Sequence, residues 1–301
     1  MMREKLEGVV VPLLTPFTAN GEQIDVPALR RLVDVLVGAG VQGVIANAGT
    51  SEFFHMDDDE RRLAAEVVAE QVGGRIPFLV GVGAVATRQV VGWARHAESI
   101  GADGLLLMPP YYEPVPVDAI VAHYAAVSDA VATPIMLYNT PFATQVLLSA
   151  PDVERLVEAA NIPWVKLTTK NIELVGQILE RLGDRVTLFE GCDTLAFPSF
   201  ASGTRGWIAG PANALPDRTV ELWRVMCKER DLERGYALHR RLLPLMEAVV
   251  NGSVFCSLLK EICGLRGYPL GTTRAPFLEL DAAQRRQAAA FVAELRLERL
   301  A

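Results

Sequence analysis

The sequence predicts a (β/α)8 TIM barrel with a C-terminal helical extension, and two observations lead to this fold class. Short apolar segments rich in Val, Ile and Leu alternate with helical patterns over roughly 220 residues, and one glycine-flanked junction recurs between them. Continuous apolar runs of this length are typical of parallel strands buried on both faces. A doubly wound open sheet is the alternative, because it is built from the same repeating unit.

The recurring junction has the form Gly-X-X-Gly and appears at 40–43, 101–104 and 203–206. Each copy follows a helical pattern, such as the one over 25–40 with Asp25 as a plausible N-cap, and precedes an apolar run. A glycine that ends a helix in the left-handed conformation, followed by a short turn, is what a βαβ series needs. We predict strands at 8–14, 42–47, 77–82, 103–108, 134–138, 163–167, 186–190 and 206–209.

Beyond about residue 213 the pattern becomes purely helical. We predict a barrel over residues 1–225 and a C-terminal helical extension, residues 226–301, packed on the barrel. The predicted helices of this part of the chain are 214–228, 230–250, 253–264 and 281–297.

Composition and charge narrow the class of partner. A net charge of −7 without a basic cluster argues against nucleic acid and anionic membranes as partners. Glu7 and early prolines interrupt the N-terminal apolar run before it reaches signal-peptide length, and no apolar stretch is long enough for a membrane span. The four cysteines and four histidines are scattered, so we expect no metal and no cofactor. A cytoplasmic protein with a small-molecule partner is expected.

Lys166 is the candidate catalytic residue, because it lies within the short apolar run WVKLTT at 164–169, at the predicted end of strand 6. Chemistry in such barrels collects at the carboxyl ends of the strands. Burial disfavours a charged amine, and a neutral lysine can form a Schiff base with a ketone, which creates an electron sink for carbon–carbon bond cleavage or formation. The alternative is an edge strand with Lys166 in solvent. We expect Lys170 to be a solvated residue at a helix entry and Lys260 to snorkel from an amphipathic helix.

Schiff-base formation also needs proton transfer, for which Tyr138 is the candidate at the end of the neighbouring strand. Tyr111 and Tyr112 follow strand 4 and either extend this relay or pack as ordinary aromatic residues. The loop A-G-T-S-E at 48–52 offers backbone N–H groups and two hydroxyls for a carboxylate, or is an ordinary turn.

Taken together, these segments resemble the family of dihydrodipicolinate synthase and N-acetylneuraminate lyase, the pyruvate-dependent class I aldolases. The resemblance covers V-P-L-L-T-P-F, A-G-T-S-E, P-P-Y-Y, Y-N-T-P, the strand-6 lysine and the N-G-S-V…R-A-P run at 251–276. It implies a Schiff base at Lys166, acid–base work by Tyr138 and a homo-oligomer, a dimer or a tetramer of tight dimers, in which Tyr112 reaches a neighbouring subunit's site. By the same comparison, the substrate-binding residues are Gly49, Thr50, Ser51, Thr168 and Ile208.

The chain departs from that family at several site positions. Ala143 stands where similar synthases carry an arginine that binds the carboxylate of the aldehyde substrate, and Gly49 replaces the first hydroxyl residue of the loop, for which Ser51 partly substitutes. Thr168 gives the K-x-T pattern of the sugar-acid lyases, whereas Gly210 stands where those lyases often carry a serine. The resemblance therefore supports the pyruvate half of the site better than the second half.

The expected function is that of a Schiff-base lyase acting on pyruvate or a 2-keto-3-deoxy acid, by aldol cleavage, condensation or dehydration, with pyruvate and an aldehyde as partners. The alternative is the synthase reaction of lysine biosynthesis, which Ala143 disfavours. The G-T-R-G-W-I-A-G run at 203–210 leaves a phosphosugar isomerase open. A barrel that binds 2-keto acids without catalysis is a further alternative.

Overall fold

The computed structural model describes residues 6–251 and 254–300, which form a closed barrel of parallel strands surrounded by helices. Each strand pairs with the next along the chain, and β1 pairs with β8 to close the barrel. The open-sheet alternative is therefore wrong and the barrel prediction is confirmed. The strands are β1 (Gly8–Pro12), β2 (Gly43–Ala46), β3 (Phe78–Gly81), β4 (Gly104–Leu107), β5 (Ile135–Asn139), β6 (Trp164–Leu167), β7 (Thr187–Glu190) and β8 (Gly206–Ile208).

Helices connect the strands and continue beyond them. The helix predicted over 214–228 is shorter as an α-helix, because its second half, Arg224–Glu229, is a π-helix. The α-helices in the described part of the chain are α1 (Val26–Gly38), α2 (Asp58–Val72), α3 (Thr87–Ser99), α4 (Val117–Ala130), α5 (Pro141–Thr144), α6 (Ala150–Ala159), α7 (Glu173–Leu182), α8 (Ala196–Ala201), α9 (Pro216–Trp223), α10 (Leu232–Asn251), α11 (Phe255–Leu265) and α12 (Ala282–Glu294). Within those ranges, no helix is long and apolar enough to cross a membrane.

The junction glycines adopt the conformation that the sequence predicts. Gly40, Gly101 and Gly203 have φ values of +81°, +79° and +111°, a region that costs a residue with a Cβ more than it costs glycine. Asp25 caps α1, since its side chain accepts a hydrogen bond from the Ala28 amide at 3.0 Å. Local sequence chemistry therefore places these helix–strand boundaries.

Two apolar clusters hold the barrel together. One lies between the sheet and the helices, and the other fills the barrel interior with one side chain or more from each strand. Trp164 belongs to the interior cluster, so Lys166, two residues further along β6, faces the same way. Because alternate side chains of a strand lie on the same face, Lys166 points into the barrel interior at its carboxyl end.

The C-terminal helices pack against the barrel near the end of β8. The Tyr268 hydroxyl donates to the Asn213 carbonyl at 3.0 Å, and Arg266 Nη1 donates to the Ala214 carbonyl at 2.7 Å. These contacts hold α11 over the mouth of the barrel. The division into residues 1–225 and 226–301 stays a prediction, and Gly252 and Ser253 of the N-G-S-V motif lie outside the described residues.

Candidate active site

Lys166 is buried at the carboxyl end of β6, with 7% of its surface exposed, between Tyr138 on β5 and Phe189 on β7. Its Nζ lies 3.8 Å from the centroid of the Tyr138 ring. The interpretation of Lys166 as a solvated edge-strand residue is therefore wrong. The sheet register brings the predicted amine and the predicted proton carrier into contact.

A cavity of about 480 Å³ opens above these two residues. Thr168 lines it, with its hydroxyl close to the hydroxyl of Tyr138. Ile208 of β8 contributes an apolar side chain to the opposite wall. The cavity is large enough for a ligand well beyond the size of pyruvate.

Gly191, directly after β7, gives Lys166 the space that it occupies. A Cβ at position 191 would lie 2.7 Å from Lys166 Cε and 2.1 Å from Thr168 Oγ1. The Gly191 amide also donates to the Leu167 carbonyl at 2.7 Å, which holds the two strand ends close together. Any larger residue at this position would displace the lysine or the threonine.

The charge of Lys166 acts on the Tyr138 hydroxyl. Burial raises the pKa of Tyr138, but the neighbouring Lys166 ammonium together with side-chain hydrogen bonds from Thr140 and Thr168 outweighs burial, so the pKa lies below its ordinary value. A phenol with a lowered pKa gives up its proton more readily and is better suited to general acid–base work.

Two carboxyl groups lie at the carboxyl end of strand β7, Glu190 within the strand and Asp193 just beyond it. Asp193 lines the cavity and accepts a hydrogen bond from Trp207 Nε1 at 2.9 Å, and burial raises its pKa to about 7. Burial likewise raises the pKa of Glu190 to about 7, although Ser199 and the Gly191 and Cys192 amides donate hydrogen bonds to it. Both groups can therefore exchange protons near neutral pH.

The A-G-T-S-E loop forms a turn of 3₁₀-helix over Gly49–Ser51 beside the cavity. Gly49 and Thr50 line the cavity, whereas Ser51 does not. The Ser51 hydroxyl instead donates to the Leu13 carbonyl at 2.6 Å and accepts from the Ala48 amide at 3.1 Å. Ser51 thus shapes the loop from within, which differs from its expected placement against substrate.

Lys260 is also placed differently from the expectation that it snorkels. It is buried, and its Nζ lies 2.8 Å from Glu52 Oε1 and 2.7 Å from the Thr272 carbonyl oxygen. Burial lowers the pKa of Lys260, while the Glu52 carboxylate acts in the opposite direction. The expectation was wrong because α11 packs on the barrel with the face that carries Lys260, so the ammonium cannot reach solvent.

The remaining sequence candidates lie outside the base of the cavity. Lys170 is exposed just before α7, as expected, at the mouth of the cavity. Tyr112 is 75% exposed and does not line the cavity, and Tyr111 does not line it either. Within one chain, Tyr112 therefore makes no contribution to the site of Lys166.

The structure explains one departure from the family and locates another. A Cβ at Gly210 would lie 2.5 Å from Phe255 Cζ, so the ring of α11 occupies the space that a serine would need. Ala143 lies in the short helix α5 next to Phe142, whose ring is 64% exposed and lines the cavity. Aromatic rings thus stand beside both positions where polar contacts are absent.

Sequence reasoning missed Asp193, Glu190 and Gly191 as site residues. The signal was present, because all three lie at the end of the strand that follows the strand of Lys166, and consecutive strands of a closed barrel are neighbours. The wall formed by Phe54, Phe142 and Phe255 had no comparable signal, because these residues come from separate loops and helices.

The fold and site define a class of protein, a barrel enzyme with a buried lysine and a tyrosine at the carboxyl end of adjacent strands. Comparison with known proteins agrees: the sequence profile of the dihydrodipicolinate synthetase family matches residues 5–295, and the chain belongs to this family. Members of the family are class I aldolase-type lyases that use a Schiff base, so the protein is an enzyme of that type.

Individual relatives cover almost the whole chain. A 4-hydroxy-tetrahydrodipicolinate synthase of Geobacter metallireducens is 33% identical over 97% of this chain and 99% of its own. The crystal structure of dihydrodipicolinate synthase from Aquifex aeolicus has a TM-score of 0.91 at 29% identity, covering 97% of this chain and 98% of that one. YagE from Escherichia coli K12, solved in complex with pyruvate, has a TM-score of 0.90 at 28% identity, covering 97% and 99%.

Proposed function

We propose that the protein forms a Schiff base between Lys166 and pyruvate, or the pyruvyl end of a 2-keto-3-deoxy acid, and makes or cleaves the adjacent bond. The observation that carries this proposal is the contact between the buried Lys166 amine and the Tyr138 ring in the lining of the cavity. A relative at 28% identity, YagE, was solved with pyruvate, which supports the choice of keto acid.

In this proposal the neutral amine of Lys166 attacks the ketone carbon of pyruvate, and loss of water gives the imine. Tyr138 moves the protons of both steps, since Lys166 and the neighbouring threonine hydroxyls together lower the pKa of its hydroxyl. The imine then draws electrons from the adjacent carbon, so a C3 proton or a C3–C4 bond can be lost and the resulting enamine can attack an aldehyde.

The pyruvate carboxylate is assigned to the loop at Gly49 and Thr50, which lines the cavity near the base. Successive backbone N–H groups in such a turn bind carboxylates, and Thr50 adds a hydroxyl. The Thr168 hydroxyl and the Asp193 carboxyl, which both line the cavity, are left to bind the hydroxyl at C4 of a keto acid. Ile208 supplies apolar contact with the keto-acid carbon chain.

The proposed reaction is an aldol cleavage, an aldol condensation or a dehydration. The alternative, the true 4-hydroxy-tetrahydrodipicolinate synthase reaction, draws support from the name of the Geobacter relative. Ala143 weighs against this alternative, because it offers no charge-assisted hydrogen bond to the carboxylate of an aldehyde. A phosphosugar isomerase is disfavoured by the Asp193 carboxyl, which lies beside β8, where a phosphate cradle would need positive charge.

Assembly into dimers, or tetramers of tight dimers, belongs to the same proposal. Tyr112 projects into solvent in the single chain, which suits a residue that enters the cavity of a neighbouring subunit. The cytoplasmic location expected from the sequence stays a prediction.

Borohydride reduction in the presence of pyruvate tests the mechanism. The expected result is a pyruvyl mass added to a single lysine, mapped by peptide mass spectrometry to Lys166. A Lys166→Met variant serves as the matched control and should gain no adduct. An adduct on another lysine, or none on the folded wild-type protein, would refute the Schiff base. A trapped adduct without turnover of any aldehyde or keto acid would favour the non-catalytic binding protein.

A further inference from the structure

We propose that the aldehyde half of the substrate carries an apolar, ring-sized substituent, which packs against Phe54, Phe142 and Phe255 of the cavity lining. This inference rests on the proposed Schiff-base function, and it names the class of second substrate that the same site accepts. The substrate would be an aldehyde with an aromatic or branched alkyl group, or the 4-hydroxy-2-keto acid formed from it and pyruvate.

The first support is the mixed chemistry of the cavity lining. Polar groups line it, namely the Lys166 amine, the Thr168 hydroxyl and the Asp193 carboxyl. The rings of Phe54, Phe142 and Phe255, from three separate segments of the chain, line the same cavity. A ligand joined to Lys166 therefore has apolar surface within the same cavity.

The second support is the exposure of two of these rings. Phe142 is 64% exposed and Phe54 is 52% exposed, although both line a concave surface that is continuous with a reactive amine. Large apolar side chains left open to water at a cavity wall mark a surface that binds apolar groups. An aromatic ring placed there would cover surface that is in contact with water in the single chain, with edge or offset stacking available to it.

The third support comes from the two positions where polar groups are missing. Phe255 occupies the space beside Gly210 that a serine side chain would take, so no hydroxyl can point from this residue at a polyhydroxylated chain. Ala143 supplies no cation, and its neighbour Phe142 supplies a ring. Neither residue presents a hydrogen-bonding side chain and each adjoins an aromatic ring, which favours a substrate group without hydroxyls or charge here.

The positive charge of Lys170 at the mouth of the cavity does not outweigh the preference of the aromatic rings for an apolar substrate group. Lys170 is the cation that the described residues place at the mouth, and its side chain is exposed to solvent. An exposed ammonium attracts a substrate carboxylate only weakly, because water and salt screen the interaction. An anionic aldehyde therefore gains little at this site compared with an apolar one.

The chemical step uses nothing beyond the proposed site. C3 of the Lys166 enamine attacks the aldehyde carbon, which forms one C–C bond, and the aldehyde oxygen takes up a proton to become the C4 hydroxyl. Water then hydrolyses the imine, which releases the 4-hydroxy-2-keto acid and the lysine amine. No electron acceptor or donor is needed, and cleavage is the same sequence reversed.

The experiment compares kcat/KM for four aldehydes with pyruvate: benzaldehyde, isobutyraldehyde, glyceraldehyde and aspartate semialdehyde. We expect benzaldehyde to exceed glyceraldehyde and aspartate semialdehyde by roughly 10-fold or more, the effect of burying one large apolar group. Phe142→Ala should lower the ratio of the kcat/KM for benzaldehyde to that for glyceraldehyde by about 10-fold. Phe142→Leu keeps a large apolar side chain and should keep most of the wild-type ratio. Lys170→Ala, a change at the same mouth, is the matched control and should leave this ratio in place.

Several results would overturn the inference. These are a higher kcat/KM for glyceraldehyde than for benzaldehyde, a higher kcat/KM for aspartate semialdehyde, with or without Lys170→Ala, or an unchanged benzaldehyde-to-glyceraldehyde ratio in Phe142→Ala. A change of oligomeric state in Phe142→Ala, seen by light scattering, would show instead that the exposed rings belong to a subunit interface. Borohydride trapping of pyruvate separates the two proposals: a trapped adduct with no apolar preference refutes only this inference, whereas no adduct refutes the proposed function itself.

Discussion

Lys260 and Glu52 form a buried ion pair that ties the C-terminal helix α11 to the loop at the mouth of the barrel, with an Nζ–Oε1 distance of 2.8 Å. The Arg274 amide donates to the other carboxylate oxygen of Glu52 at 3.2 Å. Glu52 follows directly on Gly49–Ser51, the turn assigned to the pyruvate carboxylate, and has a left-handed backbone conformation with φ at +57°. The pair therefore fixes the position of this turn relative to the barrel.

Removing the ammonium should destabilise the protein strongly. Lys260→Met leaves the Glu52 carboxylate buried without its partner, so we expect the free energy of unfolding to fall by about 3–5 kcal/mol in urea titrations. Lys228→Met is the matched control, because the ion pair of Lys228 with Glu7 is at the surface and is worth at most about 1 kcal/mol. Equal losses in the two variants would contradict a special role for the buried pair, and the double variant with Glu52→Gln should recover part of the loss.

Tyr138→Phe keeps the ring that contacts Lys166 and removes the hydroxyl. Turnover should fall by about 10²-fold or more, the usual contribution of a positioned acid–base group. Tyr111→Phe is the control, since Tyr111 does not line the cavity. Steady-state kinetics with pyruvate would check both variants, and near-normal turnover of Tyr138→Phe would reduce Tyr138 to a packing residue.

Gly191→Ala should prevent Schiff-base formation in a folded protein. The added Cβ would lie 2.7 Å from Lys166 Cε and 2.1 Å from Thr168 Oγ1, so the amine must move away from its present position. We expect the yield of the borohydride-trapped pyruvyl adduct to drop severely, while circular dichroism stays unchanged. Gly176→Ala in α7 has open space around its Cβ and should leave the yield unaltered. Normal trapping in Gly191→Ala would show that the strand ends can separate at little cost.

The raised pKa of Asp193 predicts a pH dependence of stability. The carboxyl has a pKa of about 7 when folded, but near 4 in an unfolded chain, so between these values the native state binds more protons. Raising the pH through this window therefore favours unfolding. The unfolding free energy of the wild type, measured relative to Asp193→Asn, should decrease from about pH 4 to about pH 7 and then level off. A difference that is constant with pH would mean that Asp193 titrates at its ordinary value.

Subunit exchange tests the proposed contribution of Tyr112 to a neighbouring site. Tyr112→Phe and Lys166→Met should each be impaired alone, whereas mixing the two after partial unfolding and refolding should restore activity. In a mixed dimer, one cavity combines an intact Lys166 with an intact Tyr112 from the other subunit. Failure of mixing to restore activity, with mixed dimers confirmed by native mass spectrometry, would place Tyr112 outside the catalytic site.

The sequence by itself determined the barrel, its strand positions to within about two residues and the place of Lys166. These features depend on local signals, because apolar periodicity and glycines with positive φ act over a few neighbouring residues. The contact between Tyr138 and Lys166 could also be predicted from the sequence. Consecutive strands of a closed parallel barrel are neighbours, so residues at their carboxyl ends lie side by side.

The tertiary structure alone decided which residues come into contact when they lie far apart in the sequence. Lys260 meets Glu52 from 208 positions away, and Phe255 fills the space beside Gly210, both because α11 folds back over the mouth of the barrel. Ser51 turns inward to the Leu13 carbonyl rather than toward the cavity, since the loop must satisfy its own buried polar groups. Such contacts depend on the paths of loops and helices in three dimensions, on which the periodicity of the sequence carries no information.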